Sequence, residues 1–595
     1  MPVFFLTMKH IKKIVFFIIL TFCTLFALYA QMSVMPNDPI YSDIINWENL
    51  GIIRNVPPLR PYPLTLIISF LEEVMECEYT DQAAKAYAHY ERIFGKSIDV
   101  GFEVSDNFKK PKGNTDNPGS DKDFTNELDV YLKAAGDIKA TDYLSVGINT
   151  NILVTTELEK DARPAYDQKP YDAVNDTTDL KFAQAFLDMN ATAAIGNDKI
   201  YFQGGISRNS FGPFNDNSLS LGPGAFHSGN ASIVFRENKW TYTQAMFMLG
   251  ATNDLGLRSS VKPNKFLMLH SIDFTPNKWL TMSYYENVVY GNRFDPIYML
   301  PFVPYMVAQG IGSFGDNIQM GVTFKVRPIN GFTWLTDVFV DDMAASDLVK
   351  LKFDTKLRFA AQTGFIYSPV ESIFDQISTD YTFVSPYMYT HEEFTDDTKT
   401  ISVGSQGINY QNYTNNGVGM GSNLPPNSDR FAFKIKATPI KDLNITFSAN
   451  MIRHSNITEL LITKAPEEAV KYLGLPAGYL LTDGSVFNHP YSVGAYDYAW
   501  NHFMFMQSPT KMYVWQAGLD AGYTLPGQSF GKFTINMGYT FEYIKNHGVQ
   551  NNILPGGVYS ADAAGMAAAY DNWKSKLHND VNHYFRISFK YLYGL

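Results

Sequence analysis

The chain has 595 residues, with 48 Lys plus Arg against 59 Asp plus Glu. The resulting formal charge of −11 excludes a general nucleic-acid binder, which needs a basic surface. Aromatic residues make up 15 %, with 37 Tyr, 44 Phe and 42 Gly, a mixture typical of sheet-rich envelope proteins and unusual in soluble enzymes, and the length admits several domains or one very large barrel.

Residues 1–30 read as a secretory signal peptide. Lys9, His10, Lys12 and Lys13 precede the apolar run IVFFIILTFCTLFALYA, and Ala30 supplies a small residue before a cleavage point at Gln31. Cys77 is then the single cysteine of the mature chain, so neither an internal disulfide nor a cysteine metal site is expected. No run of 18 apolar residues follows residue 30, which argues against membrane-spanning helices and leaves a β-barrel open.

Residues 31–97 form a small helical region. Asp38-Pro39 predicts a helix start, with Asp as cap and Pro in the first turn. PPLRPYP breaks that helix, LTLIISFLEEVMECEY resumes, and TDQAAKAYAHYERIFG reads as a third helix capped at Thr80 and stopped at Gly95.

From residue 98 to 595 alternation takes over. In KFTINMGYTFEY, Phe533, Ile535, Met537, Tyr539, Phe541 and Tyr543 share one face, and Asn536, Gly538, Thr540 and Glu542 the other. DLNITFSANM and YFRISFKYLYGL repeat the pattern. Period two over nine or more residues fits a membrane-crossing strand with one face to lipid and one to a polar lumen. A soluble sandwich or propeller also alternates, but these strands are long, no repeat stands out, and closure removes exposed edges. Roughly sixteen to twenty candidate strands fit this spacing. The expected fold is an all-β transmembrane antiparallel barrel behind a small periplasmic helical region.

Candidate chemistry is sparse. GGISRNSFGPF lacks the Lys-Ser/Thr of a phosphate loop, and its glycines and asparagines suit tight turns. TDVFVDD places Asp337, Asp341 and Asp342 together, with Asp337 and Asp341 on one strand face. Paired carboxylates can hydrolyse glycosides or hold a cation, and they also occur as plain lumen or strand-end charges. Glu286 and Arg293 flank YENVVYGNRFDP and suit a buried lumen network. His391 stands beside two glutamates, and the eleven histidines form no HExxH motif. No nucleophile elbow is convincing, so no enzyme activity, cofactor or metal is expected.

Taken in order, several stretches resemble the Wzi family of capsule assembly proteins. DPIYSDIINWENLGIIRNVPPLRPYPL is similar to that family's opening. In YFQGGISRNSFGPFNDNSLSLG, Gly205 and Arg208 take the places of a Gly and an Arg, and Phe211-Gly212-Pro213 that of an aromatic-Gly-Pro step. YENVVYGNRFDPIYMLPF, DVFVDD at Asp341 and Asp342, and SPYMYTHEEF follow. Gly417, Gly421, Pro426, Asn427, Ser428 and Asp429 match a Gly-rich segment, with Met420 where Leu is usual and Pro425 where Gly is usual. The resemblance implies about eighteen strands, a periplasmic helical bundle and a lectin that retains capsular polysaccharide in the outer membrane. It implies lipopolysaccharide or other envelope lipid and extracellular polysaccharide as partners of a monomer. A porin and, more weakly, an envelope glycan hydrolase are the alternatives. Arg208, Glu286, Arg293, Asp337, Asp341, Asp342 and Asp429 are the candidate ligand or lumen-network residues.

Overall fold

The structure is a computed structural model. It describes residues 38–594 apart from 96–98, 113–124, 142, 157–161, 168–176, 180–183, 215, 254–263, 313–314, 344–349, 351, 353–356, 392–407, 474–501, 526–530 and 555–557. The expected signal peptide lies outside the described residues.

Eighteen antiparallel strands close into one barrel. They are β1 (Asp99–Lys112), β2 (Thr125–Thr141), β3 (Leu144–Thr155), β4 (Gln184–Gly196), β5 (Ile200–Ser207), β6 (Ser228–Arg236), β7 (Trp240–Gly250), β8 (Asn264–Asn277) and β9 (Leu280–Gly291). The second half is β10 (Asn317–Ile329), β11 (Phe332–Met343), β12 (Leu357–Tyr367), β13 (Phe374–Val384), β14 (Ser428–Ile440), β15 (Leu443–Ser455), β16 (Lys511–Thr524), β17 (Lys532–His547) and β18 (His578–Gly594). Each strand pairs with its neighbour in sequence, and β1 pairs with β18 from Asp99↔Gly594 to Lys112↔Val581, which leaves no edge. One end carries short turns, such as those joining β8 to β9 and β10 to β11, and the other carries long loops.

Register separates the two faces. Met537 and Tyr539 point outward and are exposed, as are Ile272, Phe274, Tyr284, Phe324 and Trp334 on the opposite side. Inward positions of β14 to β18 are mostly polar, as alternation predicts, with Ile452, Met512, Val514 and Ile544 apolar toward the long-loop end. Inward positions of β7 to β12 are not: Ala245, Phe247, Leu267, Leu269, Tyr285, Val289 and Phe339 are all buried there in one apolar core. The expected polar lumen therefore occupies only part of the bore. The other part is filled by chain.

Two pieces fill it. The first is helical: α1 (Pro39–Asn49), α2 (Leu64–Met75) and α3 (Thr80–Gly95). Asp38 caps α1 by accepting from the Ile40 amide at 3.0 Å, with Pro39 in the first turn. Ile40, Tyr41, Ile44, Trp47, Leu66, Phe70 and Leu71 pack with the inward wall residues Tyr201 and Val234. Each such buried side chain contributes about 1.5–3 kcal/mol. At the short-turn end, Asn49 donates to the Gly331 carbonyl at 2.8 Å and Lys85 pairs with Asp375 at 2.7 Å. The second piece is the passage 208–227, which enters the bore from the long-loop end.

The two meet through their backbones. Leu59 and Arg60 form an antiparallel ladder with Phe211 and Ser210. The Gly212 amide donates to the Pro58 carbonyl at 3.1 Å, and Asn209 donates to the Arg60 carbonyl at 3.2 Å. Replacing Leu59 and Phe211 by Cys, with Cys77→Ser, will yield an intramolecular disulfide, because directly paired antiparallel residues hold their Cα atoms about 4.5–5.5 Å apart, within the span a disulfide bridges. A shift in non-reducing gel mobility of the denatured chain reads it out, and free thiols alone would contradict the ladder.

Glu48 of α1 ties the helices to the wall. Its carboxylate accepts from Lys325 at 3.1 and 3.2 Å, and its carbonyl accepts from Arg327 at 2.6 Å. Burial pushes this carboxyl up, but Lys325, Arg327 and Arg60 outweigh it and hold the group below its ordinary value of 4.5. A depressed carboxyl stabilises the fold above its unfolded pKa and loses that contribution as pH falls through the folded one. Protection of residues 38–95 from protease is therefore expected to hold from neutral pH down to about 4.5 and to weaken below it, and Glu48→Gln is expected to weaken protection at neutral pH and flatten the acid limb.

Candidate functional site

β11 turns Leu335, Asp337 and Phe339 inward. Asp337 accepts from the Tyr285 hydroxyl and from Thr323 Oγ1, each at 3.0 Å. Tyr285 meets Phe211 edge-on at 5.0 Å and stacks on Phe339 at 5.8 Å. Gly212 has φ +128°, and a Cβ there would come 3.0 Å from Ser218 Oγ and 3.9 Å from Asp337 Oδ2, so the backbone of the inserted passage runs close over the acid. Asp341 accepts from the Tyr389 amide at 2.7 Å, and Asp342 stands opposite Arg358 in the ladder. Asp337 and Asp341 are thus engaged with different partners. Each fixes wall or inserted chain.

Residues 385–391 and 408–427 join the same core. Tyr389 stacks on Tyr413 at 5.5 Å, and its hydroxyl donates to the Leu219 carbonyl at 2.7 Å. A Cβ on Gly421 would come within 2.6 Å of three atoms of the Tyr389 side chain, which explains glycine in that segment. Arg208, just past β5, is buried; its amide donates to Asn190 Oδ1 at 2.8 Å, and its Nε lies 3.4 Å from Asp188. Arg208, Asp337 and Asp341 therefore belong to the lumen.

Three other candidates do not. Asp429 faces outward at the long-loop end of β14, where it accepts from Arg453 Nε at 2.9 Å and from the Tyr381 hydroxyl at 2.8 Å. Arg293 sits in the β9–β10 loop and pairs with Asp316 and Asp295 rather than with Glu286. Glu286 lies on the outer face of β9, since its neighbour Tyr285 points inward. It contacts His270 of β8 at 3.0 Å and accepts from the Tyr284 hydroxyl at 2.6 Å.

A carboxylate on the lipid-facing wall needs cover. The β9–β10 loop provides it. A 3₁₀ turn (Pro296–Met299) and α4 (Tyr305–Gly312) fold back over the outside of β7–β9. The Tyr305 amide donates to Glu286 at 2.6 Å, the Tyr305 ring stacks on His270 at 4.1 Å, and Gln244 donates to the Tyr298 carbonyl at 3.1 Å. Residues 296–312 contain no charged side chain. Ile311 is 73 % exposed, and Phe302, which stacks on Tyr242 of β7 at 4.1 Å, still leaves 61 % of its surface open, so both add to the apolar band. The strap therefore seals a polar group and presents an apolar surface to lipid.

The polar part of the bore holds a cavity of ≈ 390 Å³ between β13–β18 and β1. Asp380, Arg430, Lys434, Asn450, Asp520 and Arg586 are among its lining. The charges alternate in sign: Arg586 pairs with Asp520 at 3.0 Å, Arg430 approaches Asp380 at 3.8 Å, and Lys434 contacts Asp216 of the inserted passage. Residues 162–164, 166 and 167 also line it. Arg163 donates to Glu127 at 2.6 and 2.8 Å and to Asp129 at 2.8 Å, while the Ala165 amide donates to Glu542 at 2.8 Å. Sequence reasoning did not single out these residues; the inward positions of KFTINMGYTFEY and its neighbours were the available signal.

No family profile matches the chain, and no curated protein matches it. Among solved structures it is similar to Wzi, an outer-membrane protein involved in group 1 capsule assembly in Escherichia coli and a carbohydrate-binding β-barrel. The identity is 12 %, the match covers 94 % of this chain and 99 % of that one, and the TM-score is 0.50. The chain is an outer-membrane β-barrel. This barrel also matches two Pseudomonas aeruginosa proteins, OccD3 (10 % identity, 84 % and 91 % covered, TM-score 0.38) and OccK8 (10 % identity, 84 % and 98 % covered, TM-score 0.39).

Loss of the strap's anchor has a measurable cost. Glu286→Ala removes charge-assisted hydrogen bonds worth about 1.5–3 kcal/mol each and is expected to expose residues 296–312 to protease in detergent. Glu286→Gln, which keeps a hydrogen-bond acceptor, is expected to expose them less. Equal protection in wild type and Glu286→Ala would contradict the anchoring.

Proposed function

We propose that this outer-membrane barrel is an occluded, non-catalytic binder of surface polysaccharide. The short-turn end with its helices faces the periplasm and the long-loop end faces outward, the usual arrangement of such barrels. The observation that carries the reading is the Leu59–Arg60/Ser210–Phe211 ladder, which joins periplasmic helices to an inserted outer passage across the bore. A diffusion porin needs that space open.

The remaining cavity suits a carbohydrate. Its volume falls within the range of ligand pockets, and its amides and paired charges offer donors and acceptors to hydroxyls and to sugar carboxylates. Asp337 and Asp341 are occupied with the core, which favours binding over carboxylate-pair hydrolysis. The carbohydrate binding stated for the similar Wzi barrel supports the same reading.

Purified protein in planar bilayers is expected to give little conductance, and in detergent to bind an acidic capsular polysaccharide. Arg430→Ala combined with Arg586→Ala is expected to weaken that binding about tenfold, the scale of a lost charge-assisted contact. Large stable channels together with no glycan retention would turn the assignment to the porin.

A further inference from the structure

At the long-loop rim, β17 and β18 bring together three side chains that no sequence motif links. His547 stands opposite His578 in the ladder, and a register irregularity between Ile544 and His547 sets it beside Asp580. The two imidazole rings are 5.1 Å apart. Asp580 contacts His547 Nδ1 and lies 3.4 Å from His578 Nε2. One donor atom from each of the three lies within 4.8 Å of the other two.

The tautomer of His578 is set by its surroundings. Its Nδ1 is 2.9 Å from the Lys576 carbonyl oxygen, which only accepts, so Nδ1 carries the proton. In a neutral ring the Nε2 lone pair then faces a carboxylate oxygen. Two acceptors at that distance are stable only with a second proton or a cation between them. A carbonyl-held imidazole with its other nitrogen free is the arrangement metal-ligating histidines adopt. Tetrahedral zinc, with bonds of about 2.0–2.2 Å, sets adjacent donor atoms roughly 3.3–3.6 Å apart. The His578–Asp580 separation already matches that edge.

We propose that His547, His578 and Asp580 form a binding site for a borderline divalent transition ion, with Zn²⁺ as the probe. Their side chains are 36 %, 31 % and 14 % exposed, so an ion can enter and keep one coordination position for water or an external oxygen ligand. Metal ligation needs a bare nitrogen on each imidazole and an ionised carboxylate, so protons compete with the ion. The charge of Lys109 on β1 reaches Asp580 and works against the ion.

The test is calorimetric titration of Zn²⁺ into chelator-treated, detergent-folded protein at pH 7.5 and 5.5, with heat-modifiable gel mobility confirming a folded barrel for every variant. One ion per chain is expected, bound more tightly at pH 7.5. His578→Ala and Asp580→Asn are expected to weaken binding at least tenfold, while His583→Ala, on the same strand but outside the cluster, leaves it unchanged. Absence of saturable binding by wild type, or equal binding by folded His578→Ala, would overturn the site and show that a protonated histidine alone balances Asp580.

Discussion

The width of the bore is the constraint on which the rest depends. Eight strands enclose a space that wall side chains can fill, whereas sixteen to eighteen leave an aqueous channel. This barrel has eighteen strands and fills much of the channel with its own backbone. Inserted backbone brings unpaired amides and carbonyls, and each costs free energy unless it is paired. The helices satisfy most of theirs internally. The Pro-rich link after α1 cannot, and it finds partners in the passage 208–227. The four-residue ladder is small, yet it lets two segments from opposite ends of the barrel share one buried site.

The same logic explains why the wall departs from simple alternation. Where inserted chain packs, inward positions are apolar, and Leu267, Leu269, Phe339 and Tyr285 form a core with Leu219, Leu221, Tyr389 and Tyr413. Where the bore stays open, inward positions are polar and charges meet in opposite pairs. On the outside, the polar patch of His270 and Glu286 does not meet lipid, because the β9–β10 loop lies over it. Both departures put a second layer of chain on a wall that would otherwise face the wrong solvent.

Much of the architecture was legible in the sequence. KFTINMGYTFEY and DLNITFSANM gave the period and length of membrane strands, and Asp38-Pro39 marked the first helix. Alternation, however, assigns residues to two faces without saying which face is inside. In YENVVYG both faces mix polar and apolar residues, so Glu286 read as lumenal when it lies on the outer wall. Asp429, read as a ligand or lumen-network candidate, also faces outward. The glycines and asparagines of SRNSFGPFNDNS announced turns, but their partners at Leu59 and Arg60 are far away in sequence, and no local pattern encodes such a pairing. The uncharged run 296–312 between Arg293 and Asp316 was the visible signal of the outer strap.

The central claim is that the helices and the inserted passage are locked together inside the bore. Amide hydrogen exchange on the folded barrel in detergent measures this most directly. The amides of Gly212 and Phe211 are expected to exchange as slowly as those of the barrel strands, since they donate to the Pro58 and Leu221 carbonyls. Exchange at the rate of an exposed loop would contradict the account and leave the bore open.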